Sequence, residues 1–80
     1  MPNGLSNWTY RDVTDFLTKN DFEFYKYVGG SHEYWIRRKD EVIVDINKIT
    51  HSESYRFRTL ETMIRQSKID KKTWRKWAGQ

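Results

Sequence analysis

The 80-residue chain contains no cysteine, and its single proline stands at position 2. With no cysteine there is no disulfide, no thiolate zinc site and no sulfur nucleophile. A small domain without cross-links fits a reducing compartment. With no proline past position 2, nothing in the body of the chain breaks a helix or strand through a missing N–H donor. No segment approaches the roughly 20 apolar residues that a membrane-spanning helix needs, and the mean hydropathy is −0.98. The stretch from Met1 to Trp8 is polar and does not read as a secretory signal, so the expected location is the cytoplasm. There is no glycine-rich loop followed by Lys and Ser/Thr, which leaves nucleotide hydrolysis without a phosphate cradle. The two histidines and the scattered carboxylates match no metal-ligand spacing, so neither a metal nor a cofactor is expected. There is no internal repeat and no linker. The length suits one domain, with a core spanning about residues 8–77.

What the chain has is aromatic mass and positive charge. Aromatics make up 16% of it, with four Trp and five Tyr. A short chain buries a small share of its surface, and large side chains offset that by burying more area per residue ordered. The net charge is +4 and is unevenly spread. Residues 1–46 hold 6 basic and 8 acidic groups, and residues 47–80 hold 9 basic and 3 acidic ones. A positive field concentrated in one half suits a polyanion such as nucleic acid, although a solvated lysine-rich helix face gives the same count.

Hydrophobic spacing divides the chain into six elements. Tyr10, Val13, Phe16 and Leu17 form one face of a helix from Tyr10 to about Lys19, with Thr9 and Asp12 as a capping box and Asn20-Asp21 as its stop. Three strands follow: Phe22 to Val28, His32 to Arg37, and the β-branched run Val42 to Ile46. Gly29-Gly30-Ser31 joins the first two, and a charged turn over Arg38 to Glu41 joins the next two. Such short loops imply an antiparallel meander. A second helix carries Phe57, Leu60, Met63 and Ile64 and runs to about Gln66; Thr50 to Glu53 or Ser54 would cap it. A third begins near Asp70, with Trp74 and Trp77 on one side and Lys68, Lys72, Arg75 and Lys76 on the other. The order α-β-β-β-α-α predicts a two-layer α+β fold, a three-stranded antiparallel sheet packed against helices. That layout resembles a double-stranded-RNA-binding domain.

The chemistry rests on few residues. His32 stands where the Gly29-Gly30-Ser31 turn meets a strand, a firmer mount than a loop tip. An imidazole takes or gives a proton near neutral pH. In RNA the 2′-OH lies beside the scissile phosphate, so a base that removes its proton starts an in-line attack, and cations stabilise the extra charge. DNA lacks that hydroxyl. The competing role for His32 is a strand-edge hydrogen bond. Ser31 points away from His32 in a strand and suits a phosphate or its own turn. Tyr34 shares the His32 face and would hold the imidazole, stack on a base or fill the core. His51, in the segment before the second helix, is either a second proton-transfer group or a solvated loop residue. Gly30, Ser31, Arg37, Arg38, Lys39, Arg65, Lys68 and Lys72 are candidate substrate contacts, backed by Arg56, Arg58, Arg75 and Lys76. Tyr25, Tyr27, Tyr34 and Trp35 are candidate stacking surfaces if exposed. Asp40-Glu41 reads as a solvated pair, and Asp45 as a polar strand residue facing water.

Three segments together resemble the HicA family of toxin ribonucleases. They are the opening helix ending in Lys19-Asn20-Asp21-Phe22, Gly30-Ser31-His32 at a strand start, and the run from Thr59 to Asp70. The likeness covers about Tyr10 to Trp74. It implies a double-stranded-RNA-binding-like fold, metal-independent mRNA cleavage with His32 as the catalytic group, a HicB-type antitoxin partner and a free toxin that is monomeric. Two departures stand out. Arg58 replaces a glycine common before the Thr-Leu pair, and no proline follows the third strand, where His51 aligns only approximately with a family histidine. A non-catalytic RNA-binding module and a protein-interaction domain are the other two readings of the same residues.

Overall fold

The computed structural model describes residues 5–78. Its elements are α1 (Tyr10–Lys19), β1 (Phe22–Gly29), β2 (His32–Lys39), β3 (Val42–Thr50), α2 (Phe57–Ser67) and α3 (Lys71–Ala78). The strands form one open antiparallel sheet in the order β1-β2-β3, giving an α+β fold.

α1 begins as its sequence predicts. The Thr9 hydroxyl accepts from the Asp12 N–H at 3.2 Å, and the Asp12 carboxylate accepts from the Thr9 N–H at 2.9 Å. Asn20 closes the helix, its side-chain amide donating to the Phe16 carbonyl at 2.9 Å. α3 is capped by Asp70, whose carboxylate accepts from the Lys72 N–H. α2 departs from expectation. Its N-cap is Arg56, which makes no side-chain cap bond, while Thr50 closes β3 and the Ser54 carbonyl accepts from Ser52. Tertiary anchoring sets this start instead: Tyr55 is buried and its N–H donates to the Trp8 carbonyl at 2.9 Å.

Strands β2 and β3 run longer than the sequence suggests. The turn between them shrinks to Asp40 and Glu41, both in the left-handed region with φ of 52° and 66°. Two such residues match the twist of a tight hairpin, so pairing continues up to them. β3 also continues through Asn47 and Lys48, two poor strand formers. Asn47 is held by its side-chain amide donating to the Met63 carbonyl at 2.9 Å, and Gln66 accepts the outward Lys48 N–H. Those two bonds fasten α2 along the edge strand.

All three helices pack on one side of the sheet. Trp8, Val13, Phe16, Leu17, Phe22, Ile49, Leu60, Met63, Ile64 and Trp74 form the core there. Trp74 is its centre: the indole is fully buried, lies 4.2 Å from the Phe16 ring and 5.3 Å from the Trp8 ring by centroid, and donates to the Ser67 hydroxyl. Among the described residues no helix lies over the other sheet face. Val44 and Ile46 stand about half exposed on β3, and Tyr25 does so on β1. Among the described residues no helix is long and apolar enough to cross a membrane.

Candidate nucleic-acid interface

Strand alternation assigns each side chain to a face. On β2, Glu33, Trp35 and Arg37 point to the helices. Glu33 accepts from the Tyr10 hydroxyl of α1, and Arg37 donates to the Ser67 carbonyl at the end of α2. His32, Tyr34, Ile36 and Arg38 therefore point to the uncovered face. The ladder sets rows across that face. Gly29, His32 and Thr50 form one row, Lys26, Tyr34 and Lys48 the next, and Glu23, Ile36 and Ile46 the third.

His32 is half-buried, and its Nδ1 lies 3.0 Å from the Thr50 hydroxyl. When Nδ1–H donates to that hydroxyl, Nε2 is the ring nitrogen left to accept a proton. Gly29 and Gly30 have φ of 123° and 53°, conformations that disfavour any side chain. Nothing lies within 4 Å of where a Cβ would stand on either, so the space beside the imidazole is open. The Ser31 carbonyl accepts from the His51 N–H at 2.8 Å, which ties the turn to the end of β3. Tyr34 is half-buried, outside the core, and flanked by two exposed lysines. Lys26 and Lys48 make no ion pair among the described residues. The Lys26 ammonium sits 5.7 Å from the Tyr25 ring centroid. Neither lysine was marked by sequence spacing as a candidate. Only the strand register reveals that they bracket Tyr34.

The second imidazole belongs elsewhere. His51 stacks on the Tyr10 ring at 4.0 Å between centroids, on the helix side of the sheet. Tyr10 in turn donates to Glu33, and burial together with that carboxylate pushes the Tyr10 phenol up to about 12. Burial also raises Tyr55. His32 and His51 thus sit near one end of the sheet on opposite sides, and the structure brings no second histidine to the His32 face.

The expected basic contacts divide as well. Arg37 is turned inward: its guanidinium holds the Asp45 carboxylate at 2.6 and 2.9 Å on the helix side. This corrects the expectation that Asp45 faces water, since it is 8% exposed and also lies 3.7 Å from the Lys68 ammonium. Arg38 is on the open face but paired with Glu23 at 3.3 Å. Lys39 is exposed at the end of β2, and six residues of strand put Arg38 about 20 Å from His32. Arg65, Lys68 and Lys72 are exposed on the helix layer, away from His32. Trp35 faces the helices with its indole N–H held by Glu33 at 2.8 Å, so it offers no platform beside His32. Tyr27, 70% exposed, stands against Phe24 on the same helix side.

The Arg37–Asp45 pair sits where α2 ends over the sheet, and breaking it strands a partly buried guanidinium. Asp45→Ala is expected to lower the unfolding free energy by about 2 kcal/mol in a urea titration. The double variant Arg37→Leu/Asp45→Leu should lose less. Equal stability of Asp45→Ala and wild type would mean that the pair holds nothing.

No group of three or more His, Asp or Glu able to hold a metal ion occurs among the described residues. No family model, curated protein or solved structure matches the chain.

Proposed function

We propose that the chain is an RNA-binding endoribonuclease that needs no metal and uses His32 as its general base. The observation that carries this reading is the placement of His32 on an uncovered face, with Nδ1 engaged by Thr50 and with Lys26 and Lys48 one row away. Nε2 removes the 2′-OH proton, the 2′-oxygen attacks the adjacent phosphorus, and the bond from phosphorus to the 5′-oxygen breaks. The departing 5′-oxygen takes a proton from a lysine ammonium or from water. The products are a 2′,3′-cyclic phosphate and a 5′-hydroxyl. Lysine charge offsets the extra negative charge of the phosphorane. The element order supports a double-stranded-RNA-binding-like assignment. The role as a toxin, with mRNA as target and a HicB-type antitoxin as partner, follows from the sequence resemblance alone.

The test uses a labelled RNA in excess chelator beside the same sequence made entirely of 2′-deoxynucleotides. The RNA is expected to yield fragments ending in cyclic phosphate, and the deoxy strand to stay whole. Cleavage of both strands, or activity lost with chelator and restored by a divalent ion, would remove the mechanism.

One observation favours a second reading. The face carries a single imidazole, because His51 stacks on Tyr10 across the sheet. A binding module without catalysis needs no second proton-transfer group. Intact RNA after long incubation, with salt-sensitive binding, would select that reading.

A further inference from the structure

We infer that the uncovered sheet face is a platform for single-stranded RNA, on which one base stacks against Tyr34 while Lys26 and Lys48 hold the phosphates on either side. The inference rests on the RNA reading above and adds to it the form of the substrate and the residue that seats it. Adjacent strands lie about 4.8 Å apart, so the two lysines emerge about 10 Å from each other with the tyrosine between them. Their long stems reach outward from there to phosphates flanking one nucleotide. Charge complementarity selects an anion. Within the rows of His32 and Tyr34 there is no carboxylate, and Glu23 in the third row is already paired with Arg38. The partly exposed tyrosine between the two lysines selects an anion that also presents planar apolar faces. Tyr25 beside Lys26, together with Ile46 and Val44, extends the apolar surface along the same side.

A single strand meets both requirements, because each base has a free face and each linkage a charge. A duplex meets one of them: its bases are stacked on one another and leave no face for the ring. His32, two residues from Tyr34 on the same strand face, lies about 7 Å along β2. A base seated on Tyr34 therefore puts a neighbouring ribose within reach of the imidazole.

The experiment measures binding of a fluorescent single-stranded octamer with 2′-O-methyl groups throughout, which the proposed chemistry cannot cut. The octamer is compared with the same strand annealed to its complement. The single strand is expected to bind at least about ten-fold tighter than the duplex. Tyr34→Leu should weaken it about ten-fold, while Tyr34→Phe, which keeps the ring, should stay near wild type; circular dichroism checks that both are folded. Lys26→Gln/Lys48→Gln should flatten the slope of log affinity against log salt by about 1.4. Equal affinity for the duplex, unchanged binding by folded Tyr34→Leu, or a preference for poly-glutamate over the octamer would each overturn the inference. The two proposals fail separately. Cleavage with Tyr34→Leu binding unchanged removes the platform and leaves the nuclease. The expected binding pattern with no cut RNA does the reverse.

Discussion

His32→Ala is expected to slow RNA cleavage by at least about a hundred-fold while leaving the affinity for an uncleavable strand within about three-fold of wild type. A positioned general base contributes typically 10²–10⁴ in rate, and His32 is the only imidazole on its face. Its side chain lies outside the hydrophobic core, and its one described side-chain bond is to Thr50, so the fold should survive the change. Single-turnover assays with end-labelled RNA measure the rate, and anisotropy measures the binding. Two outcomes carry different messages. A variant that cuts as fast as wild type shows that the imidazole is not the base. A variant that loses binding and cleavage together assigns His32 to holding the strand, and the chemistry would have to be sought elsewhere.

The second large effect concerns the fold itself. Trp74→Ala should cost about 3–5 kcal/mol, the usual range for deleting a buried aromatic side chain. Here the indole is fully buried, packs against Phe16 and Trp8, and donates to the Ser67 hydroxyl. A domain of 80 residues has on the order of 4–12 kcal/mol in total. The variant should therefore be marginal or unfolded at 37 °C, with a thermal midpoint far below that of wild type. Loss of under about 1 kcal/mol would show that the aromatic pile closes over the gap and that no single ring anchors the helices. Trp77→Ala is the natural comparison, since that ring is partly exposed and should cost less.

Element order, the Thr9–Asp12 capping box and the α3 cap at Asp70 were legible because each depends on residues within a few positions of one another. What stayed hidden depended on register. β1 carries irregularities between Phe24 and Lys26 and between Tyr27 and Gly29. The first flips the alternation, so Phe24 and Tyr27 share the helix side and Lys26 turns to the open one. Strict period-two reading cannot find Lys26. The shift between Arg37 and Arg38 acts the same way on β3. Without it, Asp45 would fall on the uncovered face, as expected from sequence; with it, Asp45 meets Arg37 under α2. Lys48 was missed for a simpler reason: β3 reads as ending at Ile46, whereas its ladder with β2 continues to Thr50 and α2 fastens that extension through Asn47 and Lys48. The position of His32 at the start of β2 was legible from its glycine turn, whereas the separation of His51 from it required knowing that Tyr10 stacks there.

Because the sheet has all its helices on one side, it works as a partition between two kinds of selection. On the proposed reading, changes at Lys26, Tyr34 and Lys48 alter what is bound without loosening the tryptophan pile behind them. Changes in the pile alter melting without redrawing the recognition surface. Ile36 is the exception: it lies on the recognition side and is 1% exposed, so it answers to both. On that side Lys26, Tyr34 and Lys48 can therefore change without disturbing the helix-side core, whereas Ile36 is held by folding and His32 by the proposed chemistry.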